Sequence, residues 1–396
     1  MKSKHSLRYL IGGTFLVAST TVGVGMLALP VATGSSGFVP SVLTYFICWI
    51  FMLGSAFLVL EVTLNMPPGT SFISMAERTL GPIGRNLSWL VYLFLFITVM
   101  IAHIAGAGPI LRELIGSLIP SWLVVLIYTS AIVPVVYLGT QSVDRLNLFL
   151  FSCVGLSYLA FFFVAINKVQ FQLLSHSDWN MIWHGLPILF TAFTFQLIIP
   201  TLTNYLDRDA KKVRLVIFFG SLIPLVIYLF WEFLILGIVP VERLAQAAYQ
   251  GKNAVEPLME VVDSSSVQII GNLYAFFALT ASFIPFSLAF LDFLADGFKV
   301  RKKEGLPKIV LLSGVFGLPL IIALVYPHIF LIALGYAGGI SCALLFGFLP
   351  PLMAWVSRYL QKHPVDLRQF PGGKVVLLIM MVFALFILTG EIIQAF

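Results

Sequence analysis

The chain has 396 residues, 60% of them hydrophobic and only 10% charged, with a mean hydropathy of +1.01. A soluble globular protein carries about 25% charged residues, so this chain could not cover a water-facing surface and reads as an all-α polytopic membrane protein. Its net charge of +6 does not point to nucleic acid, because the basic residues form short clusters between apolar runs rather than one polar face.

The N-terminus imitates a signal peptide, but its apolar run is too long for a signal h-region and reads as an uncleaved first span. About 20 apolar residues cross a bilayer. On that criterion eleven transmembrane helices follow one another, at 9–32, 38–60, 87–108, 120–139, 146–166, 183–204, 214–239, 268–291, 308–326, 329–356 and 375–395. Residues 61–86 include TSFISMAERTLG, predicted to lie along the membrane as a short amphipathic helix. Residues 240–267 are more polar and form a candidate outer lid. The tenth span contains GYAGG (335–339), where a kink or unwinding is expected. Cys48, Cys153 and Cys342 all fall inside spans, which argues against a disulfide framework or a metal site.

With the N-terminus in the cytoplasm and sides alternating, 19 of the 23 Lys and Arg fall on the cytoplasmic side. The opposite side holds only Arg112, Lys168, Arg243 and Lys252. This asymmetry predicts an N-terminus inside and a C-terminus outside.

The middle of the first span, TTVGVGMLALP (20–30), weakens a spanning helix with Gly23 and Gly25, each costing roughly 1 kcal/mol relative to alanine. A small-residue packing face is one reading. The other is a broken helix, which the bilayer tolerates only where protein, water or a ligand takes up the freed amides and carbonyls. The sixth span reads FTAFTFQLIIPTLTNY (190–205), and aligning Pro200 with Pro30 puts Thr194 opposite Val24. Interrupted centres five helices apart are what a five-plus-five inverted repeat requires. Residues 1–396 then form one transporter domain, with repeats over about 9–166 and 183–356 and an extra helix at 375–395.

GGTFLVASTTVGVGMLALP in the first span, FTAFTFQLIIPTL in the sixth and FLADGF (293–298) after the eighth resemble the aromatic amino acid permeases. These belong to the hydroxy and aromatic amino acid permease family of the amino acid–polyamine–organocation superfamily. The resemblance covers essentially the whole chain, and the tyrosine-specific members are the nearest. It implies a leucine-transporter-like fold and proton-coupled uptake of an aromatic amino acid across a bacterial inner membrane. Where many relatives carry a GFHG stretch, this chain has Thr194, Phe195, Gln196 and Leu197. Thr194 can still bond a neighbouring carbonyl and ease local unwinding.

An amino acid substrate needs amide donors for its carboxylate, expected from Val22, Gly23, Val24, Gly25 and Met26 at the start of the outer half-helix. Its ammonium needs oxygens, expected from residues 18–21, with Thr20 and Thr21, and from Phe193 to Gln196. Phe193 and Phe195 are candidate ring walls, although a lone Phe is commonly a packing residue. Gln196 is a candidate partner for a phenol or indole. His103 is the only histidine well inside a span and lies in the third, which lines the site in the implied fold. It reads as a proton shuttle or substrate ligand, or as a residue making one structural bond.

In the eighth span Thr280, Ser282 and Ser287 offer hydroxyls for a coupling cation or bond the preceding turn. Glu232, deep in the seventh span, is a candidate proton acceptor. Glu61 and Asp292 read as gate or capping residues. Arg112 and Glu113 read as a solvated external pair. The expected partners are a small amino acid and the bilayer, with no nucleic acid and no obligate protein partner. No cofactor is expected beyond the proton gradient, with sodium the other possible ion. A sodium-coupled or exchange carrier of other specificity is the alternative. An intramembrane enzyme is disfavoured, since His103 has no carboxylate at helical spacing.

Overall fold

The computed structural model describes residues 2–116, 119–299, 305–362 and 368–395. Of the cytoplasmic basic cluster, Arg301, Lys302 and Lys303 lie outside the described residues, as do the side chains of Lys2 and Lys4.

A segment crossing lipid must satisfy its own backbone, and the apolar runs do so as helices. The first span is two helices, α1 (Lys2–Thr21) and α2 (Val24–Thr33), bent by 55° at a two-residue gap. Next come α3 (Phe38–Leu64) and α4 (Phe72–Ile115), which turns at Gly81. Gly81 has φ +73°, a conformation that a Cβ disfavours. The stretch before it is the amphipathic helix expected from the sequence. α5 (Ser121–Leu138) and α6 (Thr140–Ala165) meet at Gly139.

The sixth span is again two helices, α7 (Leu186–Ala192) and α8 (Ile199–Tyr205), with residues 193–198 unwound or in a tight turn between them. α9 (Ala210–Ile238) is the seventh span, and α10 (Val241–Tyr249) and α11 (Val255–Val261) build the candidate lid. α12 (Ser265–Gly297) and α13 (Leu306–Val325) follow. The tenth span starts as α14 (Phe330–Tyr336), widens into a π-helix over Ala337–Phe348 and continues as α15 (Leu349–Trp355), before α16 (Lys374–Ala395). Counting the bent first pair as one, eleven spans are present among the described residues.

The GYAGG stretch corrects an expectation: it neither kinks nor unwinds but enters the π-helix. Wide turns keep the backbone bonded, and the glycines let neighbours close in. A Cβ on Gly339 would lie 2.6 Å from Glu391 Cβ of α16, and one on Gly338 would overlap the Pro187 carbonyl of α7.

Where α3 ends, Arg208 Nη2 donates to the carbonyls of Thr63, Leu64 and Met66 at 2.9, 3.0 and 2.8 Å. It thereby caps carbonyls that a helix end leaves open. Glu61 is a buried pairing residue. Arg358 Nε and Nη2 reach its two oxygens at 2.6 and 2.7 Å, and the Gln369 amide adds a third bond at 2.9 Å.

Candidate functional site

At the first break the hydroxyls of Ser19, Thr20 and Thr21 donate back to the carbonyls of Leu16, Leu16 and Val17. Val22 N donates to Ala18 O at 3.0 Å and Met26 N to Gly23 O at 3.1 Å. Of the five amides expected to face a carboxylate, those of Val22 and Met26 are therefore spent. Gly23, Val24 and Gly25 remain, at the positive end of the α2 dipole. Both glycines are required by close approach. A Cβ on Gly23 would lie 2.9 Å from Ser282 Cβ, and one on Gly25 would lie 3.0 Å from the Cα of Ala192. The two breaks therefore touch, backbone against backbone.

The sixth span unwinds without a glycine. Thr194 Oγ1 donates to Phe190 O at 2.7 Å, an i−4 bond that bends a helix. Gln196 Oε1 accepts from Phe195 N at 2.9 Å. Gln196 Nε2 donates to Met52 O of α3 at 3.2 Å. The side chain thus replaces the helical partner that the break removes. Tyr228 of α9 supports both breaks, its hydroxyl lying 2.7 Å from Thr21 O and 3.0 Å from Ala192 O.

A cavity of about 390 Å³ opens around this junction, a volume within the range of small-molecule sites. Its walls are apolar and aromatic, with Phe96 from α4, Phe151 from α6, Phe195 and Phe286. Among the described residues no Asp, Glu, Lys or Arg lines it. Towards the N-terminal side Thr20 is exposed. On the opposite side α2 is covered, with Ala254 N of the lid donating to Leu27 O at 2.8 Å. The cavity therefore opens to the side that carries the N-terminus.

His103 lies between the rings of Phe283 and Phe286, at 5.3 and 5.9 Å between centroids. Its Nδ1 is 2.8 Å from Val99 O. A carbonyl only accepts, so Nδ1 carries hydrogen. Nε2 then faces Ser282 Oγ at 2.9 Å, and that hydroxyl is also 2.9 Å from Ala278 O. With Leu279 O at 3.1 Å as well, the serine proton has three alternative acceptors.

Of the residues singled out in the sequence, Thr20, Thr21, Val22, Gly23, Val24, Gly25, His103, Thr194, Phe195, Leu197 and Ser282 line the cavity. Five others do not. Phe193 turns away and packs on Tyr228 and Tyr45 at 5.3 and 6.3 Å. Gln196 is consumed by backbone groups, so it does not face a substrate ring. Met26 points at α12, its sulfur accepting from Tyr274 at 2.7 Å. Thr280 bonds Tyr128 at 3.2 Å on the far face of α12. Glu232 accepts from Thr33 at 2.5 Å and Tyr45 at 2.7 Å, tying α2 and α3 to α9.

Sequence reasoning missed Tyr228, Phe96, Phe286 and Asn147, all at or beside the cavity. Tyr228 had one signal: it precedes Glu232 by four residues, one turn on the same helix face. Among the described residues no group of three or more His, Cys, Asp or Glu could hold a metal.

A second cavity of about 990 Å³ lies between the end of α4, the lid and the turn from α13 to α14. Phe330 packs onto Gly106 beside it, so closely that a Cβ there would lie 2.9 Å from the ring.

The family model of tryptophan/tyrosine permeases matches residues 7–390. A tryptophan-specific transport protein of Haemophilus influenzae is 28% identical, over 97% of this chain and 95% of its own length. A tryptophan-specific transport protein of Pseudomonas aeruginosa is 29% identical, over 94% and 92%. Tyrosine-specific transport system 1 of Haemophilus influenzae is 28% identical, over 95% of each chain.

Proposed function

Because the chain belongs to the tryptophan/tyrosine permease family, we propose that it imports an aromatic amino acid by proton symport, with tyrosine foremost and tryptophan or phenylalanine next. The observation that carries this reading is the junction of two broken helices over an uncharged aromatic cavity. The substrate carboxylate takes the amides of Gly23, Val24 and Gly25 at the start of α2. The ammonium takes carbonyls at the ends of α1 and α7. The ring enters the slot between Phe96, Phe195 and Phe286.

The N-terminus is then cytoplasmic, the C-terminus periplasmic and the membrane the bacterial inner membrane. The central cavity faces inward and the second one outward. Transport proceeds by rocking spans 1, 2, 6 and 7 against 3, 4, 8 and 9, in two inverted repeats, so that each side opens in turn. His103 Nε2 is the cavity-facing nitrogen that takes up the co-transported proton. Ser282 then turns its own hydroxyl to Ala278 O and accepts from Nε2. Glu232 acts from outside the cavity, through its bond to α2.

The test is uptake by purified protein in liposomes, with labelled tyrosine, tryptophan, phenylalanine or leucine and an imposed pH or sodium gradient. Accumulation of an aromatic amino acid driven by an inward proton gradient is expected. Accumulation driven by sodium alone replaces the coupling ion. No gradient-dependent accumulation of any of them sinks the reading.

A further inference from the structure

Most polar side chains lining the central cavity are already spent. The hydroxyls at both breaks donate to backbone carbonyls, and Thr191 donates to Leu334 O at 3.0 Å. His103 and Ser282 bond each other and backbone. Asn147 of α6 also lines the cavity, and among the described residues its buried Oδ1 has no hydrogen-bond partner. Of the buried side-chain oxygens and nitrogens left unpartnered there, it alone belongs to this cavity. Leaving a buried acceptor unsatisfied destabilises a protein, so such a group calls for an explanation. A donor arriving on a ligand is one.

Asn147 also stands at the far end of the slot. Asn147, Phe151 and Val154 all line the cavity and, spaced four and three residues apart, share one face of α6. With sides alternating, α4 and α6 start on the side of the N-terminus and α12 ends there. Phe96 comes seven residues before His103 on α4, and Phe286 one turn after Ser282 on α12. Both steps lead from the breaks towards the N-terminal side, and so does the turn from Phe151 to Asn147.

A carboxamide accepts at Oδ1 and donates at Nδ2, and its broad terminal torsion turns either edge to a ligand. A phenol hydroxyl and an indole N–H both donate, whereas a phenyl ring does not. Gln196, the sequence candidate for meeting such a donor, is held by backbone groups instead. Resting on the reading that the chain binds an aromatic amino acid, we propose that Asn147 is the specificity residue for the ring. Its Oδ1 accepts from the phenol of tyrosine or the indole N–H of tryptophan.

The experiment is a thermal-shift titration of purified protein with two pairs of ligands matched in shape. One pair is tyrosine and phenylalanine; the other is tryptophan and 3-(benzothiophen-3-yl)alanine, in which sulfur replaces the indole N–H. Only the first ring of each pair carries a hydrogen to donate. Asn147→Leu keeps the size of the side chain and removes the amide. It is expected to weaken the donor-bearing ligand of at least one pair roughly 5- to 150-fold, as for a buried donor left unsatisfied. The other member of that pair should bind at least as tightly as before, since no amide is left unpaired against a bare ring.

Weakening both members of each pair alike, or neither, overturns the proposal. The melting curves also report whether the variant is folded. Asn147→Ala removes the same amide should Asn147→Leu not fold, with the same selective loss expected and the same result overturning it. A folded wild-type protein stabilised by none of the four ligands overturns the functional reading, and this inference with it.

Discussion

Replacing Gly25 with leucine puts a branched side chain where the first and sixth spans touch. Even the first added carbon would lie 3.0 Å from Ala192 Cα and 3.1 Å from Ala192 Cβ. These atoms belong to the last residue of α7 and cannot swing aside as the tip of a long side chain would. Overpacking of this kind costs about 1–3 kcal/mol for a small group. If that strain is felt wholly in the substrate-bound state, Gly25→Ala lowers kcat/KM for uptake by roughly 5- to 150-fold.

Leucine adds three more carbons in the same space, so Gly25→Leu should abolish uptake while the protein still inserts. Gly155→Leu on α6 is the control, because nothing lies within 4 Å of a Cβ at that glycine, and it should transport normally. The assay is initial-rate uptake of labelled tyrosine into proteoliposomes, normalised to inserted protein. Normal uptake by Gly25→Leu would refute the contact between the breaks as the binding geometry, and equal loss in Gly155→Leu would show that bulk alone is harmful.

Gln196→Ala is expected to lower thermal stability by about 1–3 kcal/mol, since it strands the buried Phe195 amide. Uptake ratios among tyrosine, tryptophan and phenylalanine should stay the same, and a changed ratio would return Gln196 to the substrate ring. Arg358→Leu leaves the Glu61 carboxyl buried without its cation and should cost about 3–5 kcal/mol; a melting temperature equal to wild type would contradict that. In the outer lid, burial pushes the Glu256 carboxyl up to about 7, against the Asn253 amide and Lys252, which lower it, while Glu260 and Glu113 raise it further. A carboxyl with a raised folded pKa binds more protons folded than unfolded, so its contribution to stability is full below about 4.5 and is lost as pH rises towards 7. Glu256→Gln should flatten the fall in melting temperature across that window, and an unchanged slope would refute the assignment.

Composition and hydropathy alone determined the membrane class, the eleven spans and the amphipathic stretch before Gly81, because each apolar run must satisfy its own backbone in lipid. The two mid-span glycines left the first break and a close-packing face as equal readings, and it was Pro200 with Thr194 in the sixth span that tipped them towards a pair of breaks. Only the tertiary structure decided which side chains meet at the breaks. A helical period tells which residues share a face, but the period is lost where a helix unwinds, and neighbours then set each direction. Gln196 therefore turns to the backbone of its own break and of α3, and Phe193 turns to Tyr228. The walls of the slot come instead from Phe96 and Phe286, on intact helices far away in the chain. Tyr228 joins the breaks from a third helix, a role that exists only once Thr21 and Ala192 have been brought within reach of one hydroxyl.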